Sequence, residues 1–156
     1  MRAAARCATD LGMPLAMPFR SVQRVYFDDL DALQILHNVR FLLFMERARG
    51  ELFNGLGFRW EDELADNPDK WHVVASHEIQ YLHPVRGEGE IAISVAPSHI
   101  GTTSLTLHAQ VASIDGVTIF ARGSSRLVRL DPLSNRPCPW SPRFREAVTP
   151  LVVPAT

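Results

Sequence analysis

Lysine is almost missing from this chain. Lys70 is its sole lysine, so arginine carries nearly all the positive charge, a bias we read as compositional rather than functional. No excess of one sign exists either: 16 Lys and Arg stand against 17 Asp and Glu, a formal net charge of -1. A nucleic-acid binder needs a basic face, so this balance argues against one unless the charge is segregated. Cysteine is scarce, with Cys7 near the start and Cys138 in a proline-rich stretch. The pair has neither metal-ligand spacing nor the number of a disulfide framework, which predicts no metal site and a reducing, cytoplasmic setting. No apolar run approaches the ~20 residues of a membrane span, so no membrane partner is expected. Internal repeats and low-complexity segments are also missing. Arg2 and Arg6 precede small residues, but no apolar stretch of signal-peptide length follows them. Residues 1–17 are therefore expected to be a disordered tail, or an over-long start upstream of Met13 or Met17.

What is present is enough for one core. A chain of 156 residues, 46% hydrophobic and 21% charged, has the balance of a single soluble globular domain. That domain is expected over residues 18–148, with 149–156 as a C-terminal tail. Residues from Arg20 to Phe27 are β-rich, and the run Asp28, Asp29, Asp31 ends that strand. The strongest helical signal follows. Phe41, Phe44, Met45, Ala48 and Leu52 recur at i, i+3, i+4, i+7 and i+11, on one face, and Leu42 and Leu43 widen it. Asn38 is the expected N-cap and Gly55 the expected stop, with Gly50 a weak point between them.

Beyond the turn at Asn67-Pro68-Asp69 the period changes. Trp71 to His83 predicts a long strand ended by Pro84, and Ile91, Ile93 and Val95 alternate. Leu105, Leu107, Ala109 and Val111 alternate too, and Val117 to Leu130 makes a further strand after an Asp115-Gly116 turn. Ser141-Pro142 is suited to start a short last helix through Ala147. One apolar helix and one amphipathic antiparallel sheet predict an α+β fold in which a curved sheet wraps the helix. Such a sheet leaves unpaired edges, which invites association about a symmetry axis.

Two carboxylates bracket the start of the helix, Asp31 in the loop before it and Glu46 inside it. A helix N-terminus offers free N–H groups and partial positive charge, suited to polarising a carbonyl. A loop carboxylate beside it can attack that carbonyl or activate water. By pattern alone, the three aspartates better describe a solvated capping turn, and Glu46 can simply pair with Arg49 at i+3.

The order of motifs adds to this. Phe27-Asp28-Asp29-Leu30-Asp31-Ala32, His37-Asn38-Val39-Arg40-Phe41 and Phe44-Met45-Glu46-Arg47-Ala48-Arg49 resemble the signature of the 4-hydroxybenzoyl-CoA thioesterase-like hotdog family. The run from Glu78 to Val85, Ser104 after Thr103, and Leu127 to Asp131 are similar to its strand motifs. The resemblance implies a hotdog fold and an acyl-thioester hydrolase acting on an acyl-CoA or acyl-carrier substrate, without a metal or redox cofactor. It implies Asp31 as the catalytic carboxylate, with Glu46 as the alternative on the helix, and a polarising N–H near Asn38. It further implies a homodimer or homotetramer with sites at the subunit interface. Phe41 suits the apolar acyl group, aliphatic or aromatic. Gln34 stands where the family usually has glycine, and there it either alters the loop backbone or offers its amide to substrate. His37 either touches substrate or ends the loop. Gly101, Thr102 and Thr103 stand where some relatives carry a basic grip on the CoA phosphates. The alternatives are a hotdog dehydratase or hydratase, using Asp31 with His37, and a non-catalytic acyl-CoA-binding domain.

Overall fold

The apolar stripe around Phe44 dictates the architecture, because a helix with that much oily surface needs a cover. The computed structural model describes residues 18–153, so the expectation of a disordered tail at 1–17 lies outside the described residues. Helix α1 runs Asn38–Gly55, and Phe41, Phe44, Met45, Ala48 and Leu52 are all buried, joined by Arg49 and Phe53. Leu42 and Leu43 are half-buried.

Both helix ends differ from expectation by a residue or two, for identifiable reasons. His37, not Asn38, is the boundary residue, with an extended backbone (φ -59°, ψ 134°) and no side-chain cap, while Asn38 is already helical. At the other end, Gly55 is still helical, and the left-handed residue is Gly57 (φ 82°). Gly57 N–H donates to the Asn54 carbonyl (3.0 Å) and Phe58 N–H to the Phe53 carbonyl (2.9 Å), a Schellman closure that reverses the chain.

Five strands form one antiparallel sheet: β1 (Phe19–Val25), β2 (His72–Tyr81), β3 (Gly89–Ile100), β4 (Ser104–Ala112) and β5 (Ile119–Arg129), in spatial order β1-β3-β4-β5-β2. Alternating residues of β3, β4 and β5, including Ile93, Val95, Leu105, Val111 and Leu127, meet α1 in a single core. This is the hotdog arrangement that the sequence predicts. β1 stops at Val25 rather than Phe27 because the Asp29 carboxylate takes the Tyr26 N–H (2.9 Å), and Phe27–Asp29 turn as a 3₁₀ helix. β2 lies at one edge, pairs only with β5 and is exposed along nearly its whole length.

The C-terminal part closes the wide end of the core. Ser141 caps α2 (Pro142–Val148), accepting from Phe144 N–H (3.1 Å) and donating to the buried Asp69 carboxylate (2.5 Å), which also pairs with Arg129 (3.0 Å). Trp140 stacks on Phe144 at 4.5 Å, and both rings are buried. His72 sits between Trp60, Phe53 and Trp140, and this burial lowers its pKa from the ordinary value. Residues 149–153 do not begin a free tail. Thr149–Leu151 form a 3₁₀ turn, Leu151 packs on the core, and Val153 N–H donates to the Pro97 carbonyl at 2.8 Å. Among the described residues no helix is long and apolar enough to cross a membrane.

Gly123 of β5 faces the Met45 side chain of α1 with no room for a side chain of its own. A Cβ added there would meet the Glu78 carbonyl at 2.8 Å and the Met45 sulfur at 3.2 Å. Gly123→Ala should therefore push α1 off the sheet, costing about 1–3 kcal/mol and lowering the melting temperature by about 3–8 °C. An unchanged melting temperature by calorimetry would show that Met45 and β2 yield without cost.

Candidate active site

The loop from Asp28 to His37 is short and rich in side chains that bond their own backbone. Asp31 Oδ1 accepts the Leu33 N–H (2.8 Å) and the Ile35 N–H (3.1 Å). Asp31 N–H donates to the Ile35 carbonyl (2.8 Å), and a bridge joins Leu30 to Leu36, so the loop is a miniature hairpin. Two donors on one carboxylate oxygen hold the group in place, and Oδ2 has no partner among the described residues. Gln34 completes the turn with φ 57°, the left-handed conformation that a glycine adopts freely. The backbone therefore has the shape for which the family's glycine suits this position, and a non-glycine residue adopts it here.

The hairpin is pinned to the chain that follows β2. Leu36 N–H donates to the Val85 carbonyl (2.9 Å), and Gly87 N–H donates to the Gln34 carbonyl (3.0 Å). A pocket of about 430 Å³ opens between these two segments. Asp31, Ile35, Leu36, His37, Asn38 and Phe41 supply one wall. Tyr81, Leu82, His83 and Pro84 supply the other. Tyr81 Oη donates to the Asn38 carbonyl at 3.1 Å, and its ring meets Phe41 edge-on at 5.3 Å. The helix head thus faces the pocket with Asp31 beside it. Arg40 N–H turns back onto the His37 carbonyl (2.9 Å), whereas the Asn38 and Val39 N–H groups find no acceptor among the described residues. Those two groups are the free donors that a helix N-terminus leaves.

Of the residues singled out by sequence, the fold brings Asp31, His37, Asn38 and Phe41 into one pocket. Gln34 is exposed and lies outside its lining, and Glu46, half-buried two turns along α1, lies outside it too. Arg49 grips Glu46 with both guanidinium nitrogens, Nη1 to Oε1 at 2.7 Å and Nη2 to Oε2. Burial pushes the Arg49 pKa down from its ordinary value, and the Glu46 charge pulls it back up. His77 of β2 stands 4.0 Å from Glu46 and bonds Ser125 Oγ at 2.8 Å. Tyr81 and His83 are pocket residues that the sequence showed only as parts of a strand motif. Among the described residues, no three His, Cys, Asp or Glu side chains converge to hold a metal ion.

Fold and pocket together define a hotdog protein with a fixed carboxylate at the head of its buried helix. The chain belongs to the thioesterase-like superfamily, whose family model matches residues 25–148, and it is a thioesterase. It is 26% identical over 119 residues to the acyl-CoA thioester hydrolase YbgC of Escherichia coli, covering 76% of this chain and 87% of that one. A thioesterase from Thermus thermophilus, solved in complex with coenzyme A and zinc, shares 31% identity and a TM-score of 0.72, over 87% of this chain and 95% of its own. The 1,4-dihydroxy-2-naphthoyl-CoA thioesterase of Synechocystis has the same fold (TM-score 0.73) at 12% identity, over 84% of this chain and 95% of its own.

The left-handed Gln34 offers a direct check on the loop. Holding a non-glycine residue there costs about 1–2 kcal/mol, part of which glycine returns through its freer unfolded chain. Gln34→Gly should raise the melting temperature by about 1–3 °C and leave turnover unchanged. A clear fall in activity would mean that the Gln34 amide touches substrate after all.

Proposed function

We propose that this thioesterase hydrolyses acyl-CoA or acyl-carrier thioesters in the pocket at the head of α1. Asp31 serves as base or nucleophile, and the Asn38 and Val39 N–H groups hold the carbonyl oxygen. The observation that carries this reading is the pairing, in one pocket, of an anchored carboxylate with Asn38 at the helix head, whose N–H finds no acceptor among the described residues. In the base form, Asp31 Oδ2 takes a proton from water as the water oxygen bonds to the carbonyl carbon. Negative charge develops on the carbonyl oxygen, where preorganised N–H groups are worth most. Collapse breaks the C–S bond, and the thiolate leaves with the proton that Asp31 gained. Ile35, Leu36 and Phe41 offer the acyl group an apolar wall, which is non-directional and suits aliphatic or aromatic chains. His37 is taken to contact substrate. Glu46, already gripped by Arg49, is read as an ion-pair residue of the helix rather than the base.

Two further assignments accompany this reading. The ten-residue edge of β2 presents unpaired backbone along an exposed strand, so a homodimer formed by joining two such edges is the proposed assembly. Light scattering should then exceed the 17.4 kDa of one chain, and a stable monomer at micromolar concentration counts against it. The reaction is assigned to the cytoplasm on the chain's sparse cysteines.

Asp31→Asn keeps size and removes charge. It should fold normally and lower kcat on a short acyl-CoA by roughly 10²-fold or more, read as free thiol released. Retained turnover in Asp31→Asn, with activity lost in Glu46→Gln instead, would reverse the two roles.

A further inference from the structure

Arg40 is an odd residue for its position. It is the third residue of α1, where the partial positive charge of the helix end repels a cation. It does not line the pocket. Its side chain turns instead onto the acidic loop, with Nε 3.3 Å from Asp29 Oδ1 and Nη2 donating to the Asp28 carbonyl at 3.2 Å. Asp29 is only 6% exposed, and a carboxylate so deeply buried needs partners for its charge. Its second oxygen accepts the Tyr26 N–H at 2.9 Å, and its carbonyl accepts the His37 N–H at 2.9 Å. Three contacts therefore tie residues 28–29 to residues 37–40. The segment between them is the hairpin that carries Asp31.

From this we infer that Asp29 and Arg40 are a positioning pair, a clamp that closes the base of the hairpin and sets the Asp31 carboxylate against the free N–H groups of Asn38 and Val39. The inference rests on the reading of Asp31 given above. Nothing in the loop alone does this work. The hydrogen bonds from Leu33 and Ile35 orient Asp31 within the hairpin, but they do not orient the hairpin relative to the helix. The Asp29–Arg40 pair, with the His37–Asp29 backbone bond, spans that joint. Arginine suits the task, because its fork reaches a carboxylate and a carbonyl at once, whereas lysine offers a point charge. The pair also joins a buried anion to a cation that the helix end disfavours, so each partner relieves the other.

The test is steady-state hydrolysis of a short acyl-CoA by Arg40→Gln, Arg40→Lys, Asp29→Asn and the double Asp29→Asn/Arg40→Gln, with Arg40→Gln repeated on Asp31→Asn. Melting temperatures and hydrogen exchange at the His37 amide are read alongside. A small displacement of a reacting group lowers turnover more than binding, so Arg40→Gln should reduce kcat by about tenfold with KM within about threefold. Arg40→Lys should recover part of that loss, and the double variant should be no worse than the poorer single one. On the Asp31→Asn background, Arg40→Gln should have no further effect, and His37 exchange should speed up in every clamp variant. If Arg40→Gln raises KM tenfold at constant kcat, Arg40 binds the substrate directly and the clamp is wrong. An equal loss on the Asp31→Asn background overturns it as well, as does unchanged kcat in a folded Arg40→Gln protein. Should Arg40→Gln fail to fold, Arg40→Lys with the same KM and kcat split decides. Wild-type turnover in Asp31→Asn would instead bring down the Asp31 reading itself, and the clamp with it.

Discussion

Burial of α1 is the constraint on which the rest of this structure depends. Seven of its side chains, from Phe41 to Phe53, are buried, and a helix with so wide an apolar face has no stable position on a flat support. The sheet meets this demand by curving, with β4 at its centre and β3 and β5 on either side. Close contact is permitted where a side chain would obstruct it, at Gly123 beneath Met45. The C-terminal residues around Trp140, Phe144 and Leu151 then cover what the strands leave open. Each element has its place because the helix must be out of water.

That same burial decides where polar groups stay free. Most of α1 is enclosed by its own backbone bonds and by apolar side chains, so only its ends keep free polar groups. The C-terminal end is closed by the Gly57 turn. The N-terminal end is left open to a pocket, and the chain arrives there through a hairpin whose carboxylates bond backbone N–H groups at both Asp29 and Asp31. The electrostatics agree in sign. Helix N–H donors favour negative charge, such as that of Asp29 and Asp31 beside them.

Much of this was legible in the sequence because the signals were local. The spacing of Phe41, Phe44, Met45, Ala48 and Leu52 reports a helical face directly, and strict alternation from Ile91 to Val95 reports a strand. The Asp31 loop stood out through its motif, and the doubt over glycine at residue 34 pointed to a backbone feature that the structure shows as φ 57°. Boundaries were harder. Asn38 and Gly55 carry the right side chains for caps, but His37 and Gly57 occupy the turning points, because tertiary pairing of the flanking loops fixes where the helix begins and ends. Residues 149–156 read as a tail, yet Leu151 packs on the core and Val153 N–H reaches the Pro97 carbonyl of β3.

The sequence by itself determined the element types, the apolar face of α1 and the acidic loop that precedes it, since each is written in residues close together in the chain. Only the tertiary structure decided which surfaces meet. Tyr81 and His83 reach the pocket because β2 crosses to the sheet edge and the chain after it pairs with residues 34–36. Glu46 is held by Arg49 outside the pocket, although its chemistry matched that of Asp31. Asp29 and Arg40 looked like an ordinary acidic turn and an ordinary helix arginine until burial brought them together. The physical reason is common to all three. Spacing along a chain encodes which way a side chain faces, but its partner across the fold follows from how the whole apolar surface is covered.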